Sequence, residues 1–173
     1  QNILMVVAIA EFLGLDATQI RRGLSGAKIP GRLEDVALTN GPRVVIDYAH
    51  TPDAVASALR ALRPLATSRL FCIFGCGGDR DKEKRPLMGA VAQEYSDHIV
   101  ITNDNPRTEG EMQIINDILS GMDAQGQFII EPDREKAIHF AVAEIKNNLG
   151  GGVMLIAGKG HENKQIIGNR CLD

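Results

Sequence analysis

Apolar residues in the first part of the chain recur with the spacing of helices. The segment 2–13 has helical character and stops at Gly14. Asp16 and Gln19, three residues apart, have the spacing of a capping box, in which each side chain accepts a backbone N–H at the start of a helix. The pattern therefore predicts two helices, the second ending near Gly23–Gly26.

The pattern changes near residue 30, where Pro30-Gly31 interrupts the chain. Residues 32–38 are predicted to form a strand. Asn40-Gly41 is a hairpin signal, although the following Pro42 leaves the exact turn open. We expect a domain boundary at this change of pattern.

From residue 43 onward, continuous apolar runs alternate with amphipathic segments. The runs predict buried strands at 43–49, 70–75, 98–102, 127–131 and 153–157. Helices are predicted after the N-cap and proline of Thr51-Pro52, over 86–95, over 111–122, and from Asp133 to about 147. Strands that are apolar on both faces belong to parallel sheets covered by helices. The sequence thus predicts an α/β, doubly wound, Rossmann-like fold with a mainly parallel sheet, helices on both faces and a short antiparallel N-terminal hairpin.

Composition and charge narrow the range of partners. The chain has 173 residues, 44% hydrophobic and 24% charged, enough for one compact domain with an additional segment. A net charge of −3 gives no electrostatic basis for binding nucleic acid or a membrane surface. No apolar run approaches the length of a membrane span, and residues 1–13 lack the pattern of a signal peptide. We therefore expect neither nucleic acid nor a membrane as a partner.

The cysteines indicate the compartment. Cys72, Cys76 and Cys171 are odd in number and lack CxxC spacing, which argues against a disulfide framework or a zinc ribbon. We expect Cys72 and Cys76 to flank the end of a buried strand, and the protein to work in the reducing cytoplasm.

Polar residues follow four of the predicted strands at the point where each strand ends. In open parallel sheets, ligands bind outside the carboxyl ends of the strands. The four polar segments are 47–52, 75–81, 103–107 and 158–162. Their convergence on one edge predicts a ligand site there.

The segment after the second of these strands is rich in glycine. Gly75–Gly78 can bring backbone N–H groups close to an anion. It matches neither the GxGxxG dinucleotide loop nor the GxxxxGKS/T phosphate loop. Arg80 directly follows this turn and is a candidate for ligand binding, whereas Lys82, Lys84 and Arg85 are expected to form a solvated charged loop.

The next segment contains Asn105-Pro106-Arg107. Proline disfavours the α region for the residue before it, so Asn105 is expected to be extended and to present Arg107 in a fixed direction. A guanidinium pairs a carboxylate through two parallel hydrogen bonds. An ordinary turn with a surface arginine is the alternative interpretation.

The last polar segment ends in His161-Glu162. No second histidine stands at the spacing that a metal-binding helix needs, which disfavours metal binding. Glu162 can instead pair with the ammonium of a ligand. His98 and His139 are expected to be structural or exposed.

Five motifs together closely resemble the C-terminal region of Mur ligases, and within that family the members that add 2,6-diaminopimelate. They are GRLEDV (31–36), DYAHTPD (47–53), FGCGGDRDKEKRPLMG (74–89), DNPRTE (104–109) and GKGHE (158–162). The resemblance covers essentially the whole chain, in the family's order. DNPR is the most discriminating motif, since lysine-adding members carry a different sequence there. Asn163-Lys164 stand where Asp-Tyr usually follow the last motif.

The resemblance implies a three-domain enzyme that uses ATP and Mg²⁺ to join an amino acid to the UDP-muramoyl-dipeptide. Residues 1–30 would be the closing helices of the central ATP-binding domain, and residues 31–173 the C-terminal amino-acid-binding domain. The phosphate loop and metal ligands are expected in the central domain, and a further helix after Cys171-Leu172-Asp173. The chain is therefore expected to be an inactive part of a monomeric ligase.

The resemblance also implies roles for particular residues. Those that bind meso-diaminopimelate would be Arg80, Asp104, Asn105, Pro106, Arg107, Gly158 and Glu162, with Asp104 and Pro106 shaping the loop. Arg32, Asp47 and His50 resemble the residues by which this domain closes over the nucleotide. No catalytic residue and no metal ligand is assigned. In the implied reaction, ATP phosphorylates the D-glutamyl carboxylate, and the amine of diaminopimelate attacks the acyl phosphate.

Two alternative functions stay open at this point, and a third is disfavoured by the sequence after the first strand. A lysine-adding or folate-polyglutamate-type ligase domain is disfavoured by DNPR and by the diaminopimelate-type loops. A non-catalytic Rossmann-like ligand-binding module fits a sequence without a phosphate loop. A nicotinamide dehydrogenase needs a glycine fingerprint after the first strand, where DYAHTP stands.

Overall fold

The computed structural model describes residues 2–36, 41–147 and 151–172. Helices are α1 (Asn2–Phe12), α2 (Ala17–Gly26), α3 (Pro52–Leu62), α4 (Lys84–Tyr95), α5 (Glu111–Leu119) and α6 (Arg134–Asn147), and a 3-10 turn follows α3 at Arg63–Leu65. Strands are β1 (Glu34–Val36), β2 (Arg43–Asp47), β3 (Leu70–Phe74), β4 (His98–Ile101), β5 (Phe128–Ile130), β6 (Val153–Ala157), β7 (Gln165–Ile167) and β8 (Arg170–Leu172). From β2 to β6, strands and helices alternate as the sequence predicts.

Within the described residues, six strands form one sheet in the order β1-β2-β6-β3-β4-β5. The strands β2, β6, β3, β4 and β5 are parallel, and β1 pairs antiparallel with β2, Glu34 lying opposite Ile46. The predicted doubly wound, mainly parallel sheet with a short antiparallel hairpin is therefore confirmed. The last two residues of the strand predicted over 32–38, and Asn40 of the predicted hairpin turn, lie outside the described residues.

The strand β3 places a core on both faces of the sheet. Leu70, Cys72 and Phe74 pack with buried side chains of α3, α4 and α5. Phe71 and Ile73 pack with buried side chains of α6. Successive side chains of a strand point to opposite faces, so a strand covered on both sides needs a continuous apolar run.

Two helix starts form through the caps that the sequence predicts. At α2, Asp16 Oδ1 accepts the Gln19 N–H at 2.9 Å, and Gln19 Oε1 accepts the Asp16 N–H at 2.9 Å. At α3, Thr51 Oγ1 accepts the Ala54 N–H at 3.3 Å, with Pro52 at the first helical position. The second cap ends the polar segment after β2 and so fixes the length of that segment.

The sequence does not predict the hairpin β7–β8, in which Gln165 lies opposite Leu172. Each of its strands has only three residues, too few for a hydrophobic period to stand out. Gly168 turns the chain with φ +56°. The hairpin contacts the 104–107 segment and so forms part of the site's support.

The helices α1 and α2 contribute little to the core around the sheet. No side chain of α2 is buried, and Phe12 of α1 is 90% exposed. The expected boundary near residue 30 falls between these helices and β1 and stays a prediction. None of the helices in the described ranges combines the length and apolarity needed to cross a bilayer.

Candidate functional site

The carboxyl ends of four neighbouring strands meet at one edge of the sheet, as the sequence predicts. The strands β2, β6, β3 and β4 are adjacent, and the segments after them enclose a cavity of about 450 Å³. Small-molecule sites typically measure about 300–1,000 Å³. The walls are formed by Tyr48, His50, Thr51, Gly77, Arg80, Asp81, Lys84, Asp104, Asn105, Arg107, Gly158 and Glu162.

The structure brings together most of the residues predicted to bind an amino acid. Those on the cavity wall are Arg80, Asp104, Asn105, Arg107, Gly158 and Glu162, together with His50 from the predicted nucleotide-facing set. Pro106, Arg32 and Asp47 are not part of the wall. The wall carries charges of both signs.

The glycine-rich segment and the 103–107 segment pack backbone against backbone. The Gly78 N–H donates to the Asn105 carbonyl oxygen at 2.9 Å. A Cβ atom at Gly78 would overlap the carbonyl oxygen of Pro106, so a side chain there would force the two segments apart. The carbonyl of Pro106 therefore lies directly against Gly78.

Arg107 is held through its backbone and through its side chain. Its φ is +53°, and its N–H and carbonyl oxygen bond Ile166 and Gly168 of the β7–β8 hairpin at 3.1 and 2.7 Å. The guanidinium Nη1 donates to the Gly78 carbonyl at 2.8 Å and to the Asn105 carbonyl at 3.3 Å. Arg107 is half-buried and bonded, unlike the surface arginine of the alternative interpretation.

Glu162 is one of the carboxylates on the same wall as Arg80 and Arg107. Its Oε1 accepts the Tyr48 hydroxyl at 3.2 Å, and its Oε2 accepts Asn105 Nδ2 at 3.3 Å. The hydrogen bond to this carboxylate raises the pKa of Tyr48. Gly158 has a φ of +110°, and a Cβ added to it would lie 2.7 Å from Asp104 Oδ2. Any other residue at this position would therefore force the backbone or Asp104 to move.

Lys159 was not among the sequence candidates, although it lies beside three of them. Its Nζ donates to Asn105 Oδ1 at 3.0 Å and to the Lys164 carbonyl oxygen. The carboxylates of Glu162 and Asp104 lie at 3.7 and 4.0 Å from the same atom. Burial lowers the pKa of this lysine, and the two carboxylates oppose the shift. The position of Lys159 in GKGHE, between Gly158 and Gly160 and three residues before Glu162, was the sequence signal that could have found it.

The predicted nucleotide-facing residues gather around Tyr48. The Arg32 guanidinium lies over the Tyr48 ring at 4.6 Å, and the His50 ring meets its edge at 4.7 Å. Asp47 is nearly buried, and its two oxygens accept the N–H groups of Leu33 and Ala49, both at 2.7 Å. Asp47 therefore ties the segment before β1 to the end of β2.

The expectation that Arg85 belongs to a solvated loop is wrong. Arg85 is fully buried in α4, on the same helical face as Met88 and Ala92. Its guanidinium bonds Glu109 at 2.8 and 3.0 Å and Asp117 at 2.8 Å. Arg85 lies three residues before Met88 and seven before Ala92, which is the spacing of one helical face. This spacing was the signal in the sequence that could have revealed the burial.

The two other lysines of that run differ from each other. Lys82 is 57% exposed and pairs with Glu109 at 3.1 Å, close to the expectation of a solvated side chain. Lys84 lies on the cavity wall, and its Nζ donates to the His50 carbonyl at 2.8 Å. The solvated interpretation therefore holds for Lys82 alone.

A larger cavity of about 750 Å³ lies between the start of α6 and the β7–β8 hairpin. Its charged lining is mainly acidic, with Glu111, Glu131, Asp133 and Glu135. The arginine there, Arg134, is buried and donates to the carbonyls of Asn103 and Ala157. This cavity lacks the paired positive and negative groups of the smaller one, so its size does not make it the better candidate site.

Among the residues that the structure describes, no three or more His, Cys, Asp or Glu side chains come together as metal ligands. Cys72 and Cys76 are buried free thiols at the end of β3, as expected, and burial raises the pKa of each to about 12. These thiols are therefore protonated at neutral pH.

A family model described as Mur ligase, glutamate ligase domain, matches residues 31–160. Two similar curated proteins carry the name UDP-N-acetylmuramoyl-L-alanyl-D-glutamate–2,6-diaminopimelate ligase. The one from Prochlorococcus marinus is 48% identical over 99% of this chain and 34% of its own length. The one from Synechocystis is also 48% identical, over 96% of this chain and 33% of its length. The chain thus spans about a third of these curated relatives.

Solved structures agree with this result. A structure titled as the same 2,6-diaminopimelate ligase is 38% identical, covers 95% of this chain and 33% of that chain, and has a TM-score of 0.75. A folylpolyglutamate synthase from Mycobacterium tuberculosis, complexed with ADP and AMPPCP, is 22% identical, covers 88% of this chain and 35% of that chain, and has a TM-score of 0.68. At that identity the second structure supports the fold alone.

Proposed function

This chain belongs to the Mur ligase family, and from that membership we propose that it is the amino-acid-binding part of the ligase that adds meso-2,6-diaminopimelate to UDP-N-acetylmuramoyl-L-alanyl-D-glutamate. That reaction forms an amide bond in peptidoglycan biosynthesis and consumes ATP. The names of the curated relatives support the substrate, and the cavity supports the role of this part of the chain.

The observation that carries the proposal is the pairing of charges on one small cavity. Arg80 and Arg107 offer guanidinium groups, while Glu162 and Asp104 offer carboxylates. Diaminopimelate has an ammonium and a carboxylate at each end, so its recognition needs both signs in one place. Guanidinium groups suit carboxylates because they can form two parallel hydrogen bonds.

We propose specific contacts for the end of the amino acid that does not react. Arg107 and Arg80 bind its carboxylate, and Glu162 accepts its ammonium. Asn105 contributes its amide beside Glu162. Pro106 and Gly158 shape the cavity through their backbones, and Asp104 lies against Gly158.

The chemistry that follows from this placement is orientation of a nucleophile. Once one end is held, the amine at the other end can be aimed at the acyl phosphate formed on the D-glutamyl carboxylate. Holding reactants in the correct geometry lowers the barrier without a dedicated catalytic side chain. We therefore assign no catalytic residue to this chain.

ATP and Mg²⁺ belong to the proposed reaction but do not fit a site made by these residues alone. The sequence has no GxxxxGKS/T loop, and the described residues contain no cluster of metal ligands. We propose that a preceding central domain holds both, and that residues 1–30 belong to it. Arg32, Asp47 and His50 would then meet the nucleotide when the two domains close.

The proposal also extends to the setting of the enzyme. ATP and a UDP-linked precursor are small, charged molecules of the cytoplasm, where we place the protein. We expect it to act as a monomer, with these molecules and diaminopimelate as its partners.

The test compares ligands and activities. This chain is titrated by calorimetry with meso-diaminopimelate, L-lysine and ATP, and the full-length protein that contains it is assayed for ADP release. We expect heat from diaminopimelate, little from lysine and none from ATP. ADP release that depends on diaminopimelate and the muramoyl-dipeptide is expected from the full-length protein and not from this chain.

Two results would contradict the proposal. Preference for lysine over diaminopimelate in both assays would indicate a lysine-adding ligase. Binding of a ligand without any amino-acid-dependent ADP release from the full-length protein would indicate a non-catalytic module.

A further inference from the structure

Lys159 carries a charge that the proposed ligand contacts do not use. Its side chain is 12% exposed, and it does not form part of the cavity wall. An ammonium has three N–H donors. Two of them have acceptors in Asn105 Oδ1 and the Lys164 carbonyl, and the Glu162 and Asp104 carboxylates lie within 4.0 Å for the third. The lysine is therefore engaged by the protein itself.

Lys159 and the Ile166 N–H together determine the orientation of the Asn105 amide. Asn105 Oδ1 accepts two donors, Lys159 Nζ at 3.0 Å and the Ile166 N–H at 2.9 Å. If the amide were rotated by 180°, its NH₂ group would face two donors and no acceptor. The nitrogen Nδ2 therefore faces Glu162 Oε2, to which it donates at 3.3 Å.

The same ammonium also holds the Glu162 carboxylate. Lys159 lies three residues before Glu162, with Nζ 3.7 Å from Oε2, and the Glu162 N–H donates to the Lys159 carbonyl at 2.8 Å. The charged groups around this ammonium are Glu162 and Asp104, which attract it, and Arg134, which repels it. The Glu162 carboxylate thus already has Lys159 as its counter-ion in the absence of a ligand.

We infer that Lys159 is a positioning residue that fixes the Asn105 amide and the Glu162 carboxylate in the orientation in which they receive the non-reacting end of the amino acid. The inference rests on the proposed function of the cavity. Lys159 acts through these two side chains and does not touch the ligand. Its loss should therefore weaken amino-acid binding while leaving ATP use intact.

The kinetic test uses the full-length protein with Lys159→Met, which keeps the length of the side chain and removes its charge. Hydrogen bonds to charged groups are strong enough that we expect the KM for diaminopimelate to rise at least about tenfold. The KM for ATP and the kcat at saturating diaminopimelate should not change. Lys159→Arg keeps the charge and should lie between wild type and Lys159→Met. Lys136→Met, on a 72% exposed side chain of α6, is the matched control.

A second measurement reports on the amide itself and needs no ligase activity. In this chain, NMR follows the exchange of the Asn105 side-chain N–H protons with solvent. Wild type and Lys136→Met should exchange slowly, Lys159→Arg at an intermediate rate and Lys159→Met quickly. If Lys159→Met folds poorly, the exchange rate of Lys159→Arg is compared with that of wild type instead.

The outcomes separate this inference from the function on which it rests. Unchanged KM for diaminopimelate in a folded Lys159→Met protein, or equal rises in KM for all substrates, would overturn the positioning role. Unchanged exchange of the Asn105 protons in both Lys159 variants would also overturn it. A wild-type protein that does not use diaminopimelate at all would instead contradict the proposed function.

Discussion

At Arg107 the backbone conformation and the direction of the guanidinium are set by different neighbours. The β7–β8 hairpin bonds its N–H and carbonyl, while the carbonyls of Gly78 and Asn105 hold its side chain. Its positive φ of 53° is uncommon for a residue other than glycine. The surrounding contacts, rather than the residue's own preference, therefore direct the guanidinium along the cavity wall.

This arrangement leads to a prediction about substrate choice. Lysine is diaminopimelate without one carboxylate, so it would leave the Arg107 guanidinium without its proposed partner. Losing one side of a buried charged pair costs about 2–5 kcal/mol, or roughly thirty- to several-thousand-fold. In the full-length protein, Arg107→Ala should lose most of its kcat/KM for diaminopimelate and change little for lysine. The ratio of the two kcat/KM values, in wild type and variant, is the measurement.

Two further variants sharpen the comparison. Arg107→Lys should restore little, because an ammonium cannot reproduce the planar pair of donors. Arg60→Ala, on α3 beside Tyr95, removes an arginine away from the cavity and should leave the ratio unchanged. An unaltered ratio in Arg107→Ala would mean that another group selects the substrate.

The location of a single residue could be predicted from the sequence where its position relative to a strand end determines its surroundings. Arg80, Arg107 and Glu162 follow strand ends and could be expected on the cavity wall. The spacing of Arg85 with Met88 and Ala92 could have indicated its burial, but its partners Glu109 and Asp117 could not be identified, because they lie 24 and 32 residues away. A contact between distant segments has no local pattern.

At the scale of elements, Arg85 joins α4 to the two loops beside the cavity. Its Nη2 donates to the Gly77 carbonyl at 3.2 Å and to Glu109 Oε1 at 2.8 Å. Glu109 Oε1 also accepts the Asp79 N–H at 2.6 Å, at the end of the glycine-rich turn. The ion pair thus links the glycine-rich segment, the DNPRTE segment and the helix behind them.

The ion pair predicts a dependence of stability on pH. The hydrogen bonds from Arg85 lower the pKa of Glu109 from 4.5 to about 2. A carboxylate whose pKa is lower in the folded state stabilises it fully above the unfolded value and loses that contribution as pH falls towards the folded value. Glu109→Gln should therefore be less stable than wild type at pH 7, with a difference that shrinks between pH 4.5 and 2.

Urea unfolding of this chain at several pH values measures the effect. Arg85→Met removes the other partner and should cost about 3 kcal/mol, since it leaves Asp117 without this cation and Glu109 with the exposed Lys82 in place of a buried one. In the double variant, Glu109→Gln should add little further loss, because the two side chains act as one unit. A stability difference between wild type and Glu109→Gln that is equal at all pH values would show that the pair does not act through charge.

Helices and strands could be predicted where the pattern of apolar residues was long enough to recognise. The five-residue apolar runs of β3 and β6 are buried throughout, and the predicted strands there are confirmed. The hairpin β7–β8 was missed because its three-residue strands are largely exposed and its role is to bond another segment. The support behind Arg107 therefore could not be predicted, although Arg107 itself could.

At the scale of the whole molecule, the first helices differ from the rest of the chain. Ile3, Leu4, Met5, Phe12 and Leu13 are each 63–90% exposed. Exposed apolar groups of this extent mark a surface that another part of a protein covers. This fits the proposal that residues 1–30 belong to the preceding domain of a longer ligase.

We predict that residues 31–173 fold without the two helices. No side chain of α2 is buried, and none in the described part of α1, so removing both takes little from the core of the sheet. Gly31 and the tie between Asp47 and Leu33 remain, which keeps β1 in place. We expect the 31–173 chain to unfold cooperatively at nearly the same Tm as the 173-residue chain.

Because it lacks the exposed apolar helices, it should also bind less of a hydrophobic dye and associate less with itself. Thermal unfolding, dye fluorescence and sedimentation measure these properties. Loss of cooperative unfolding in the shorter chain would show that α1 and α2 belong to this folding unit, and the proposed boundary near residue 30 would then be wrong.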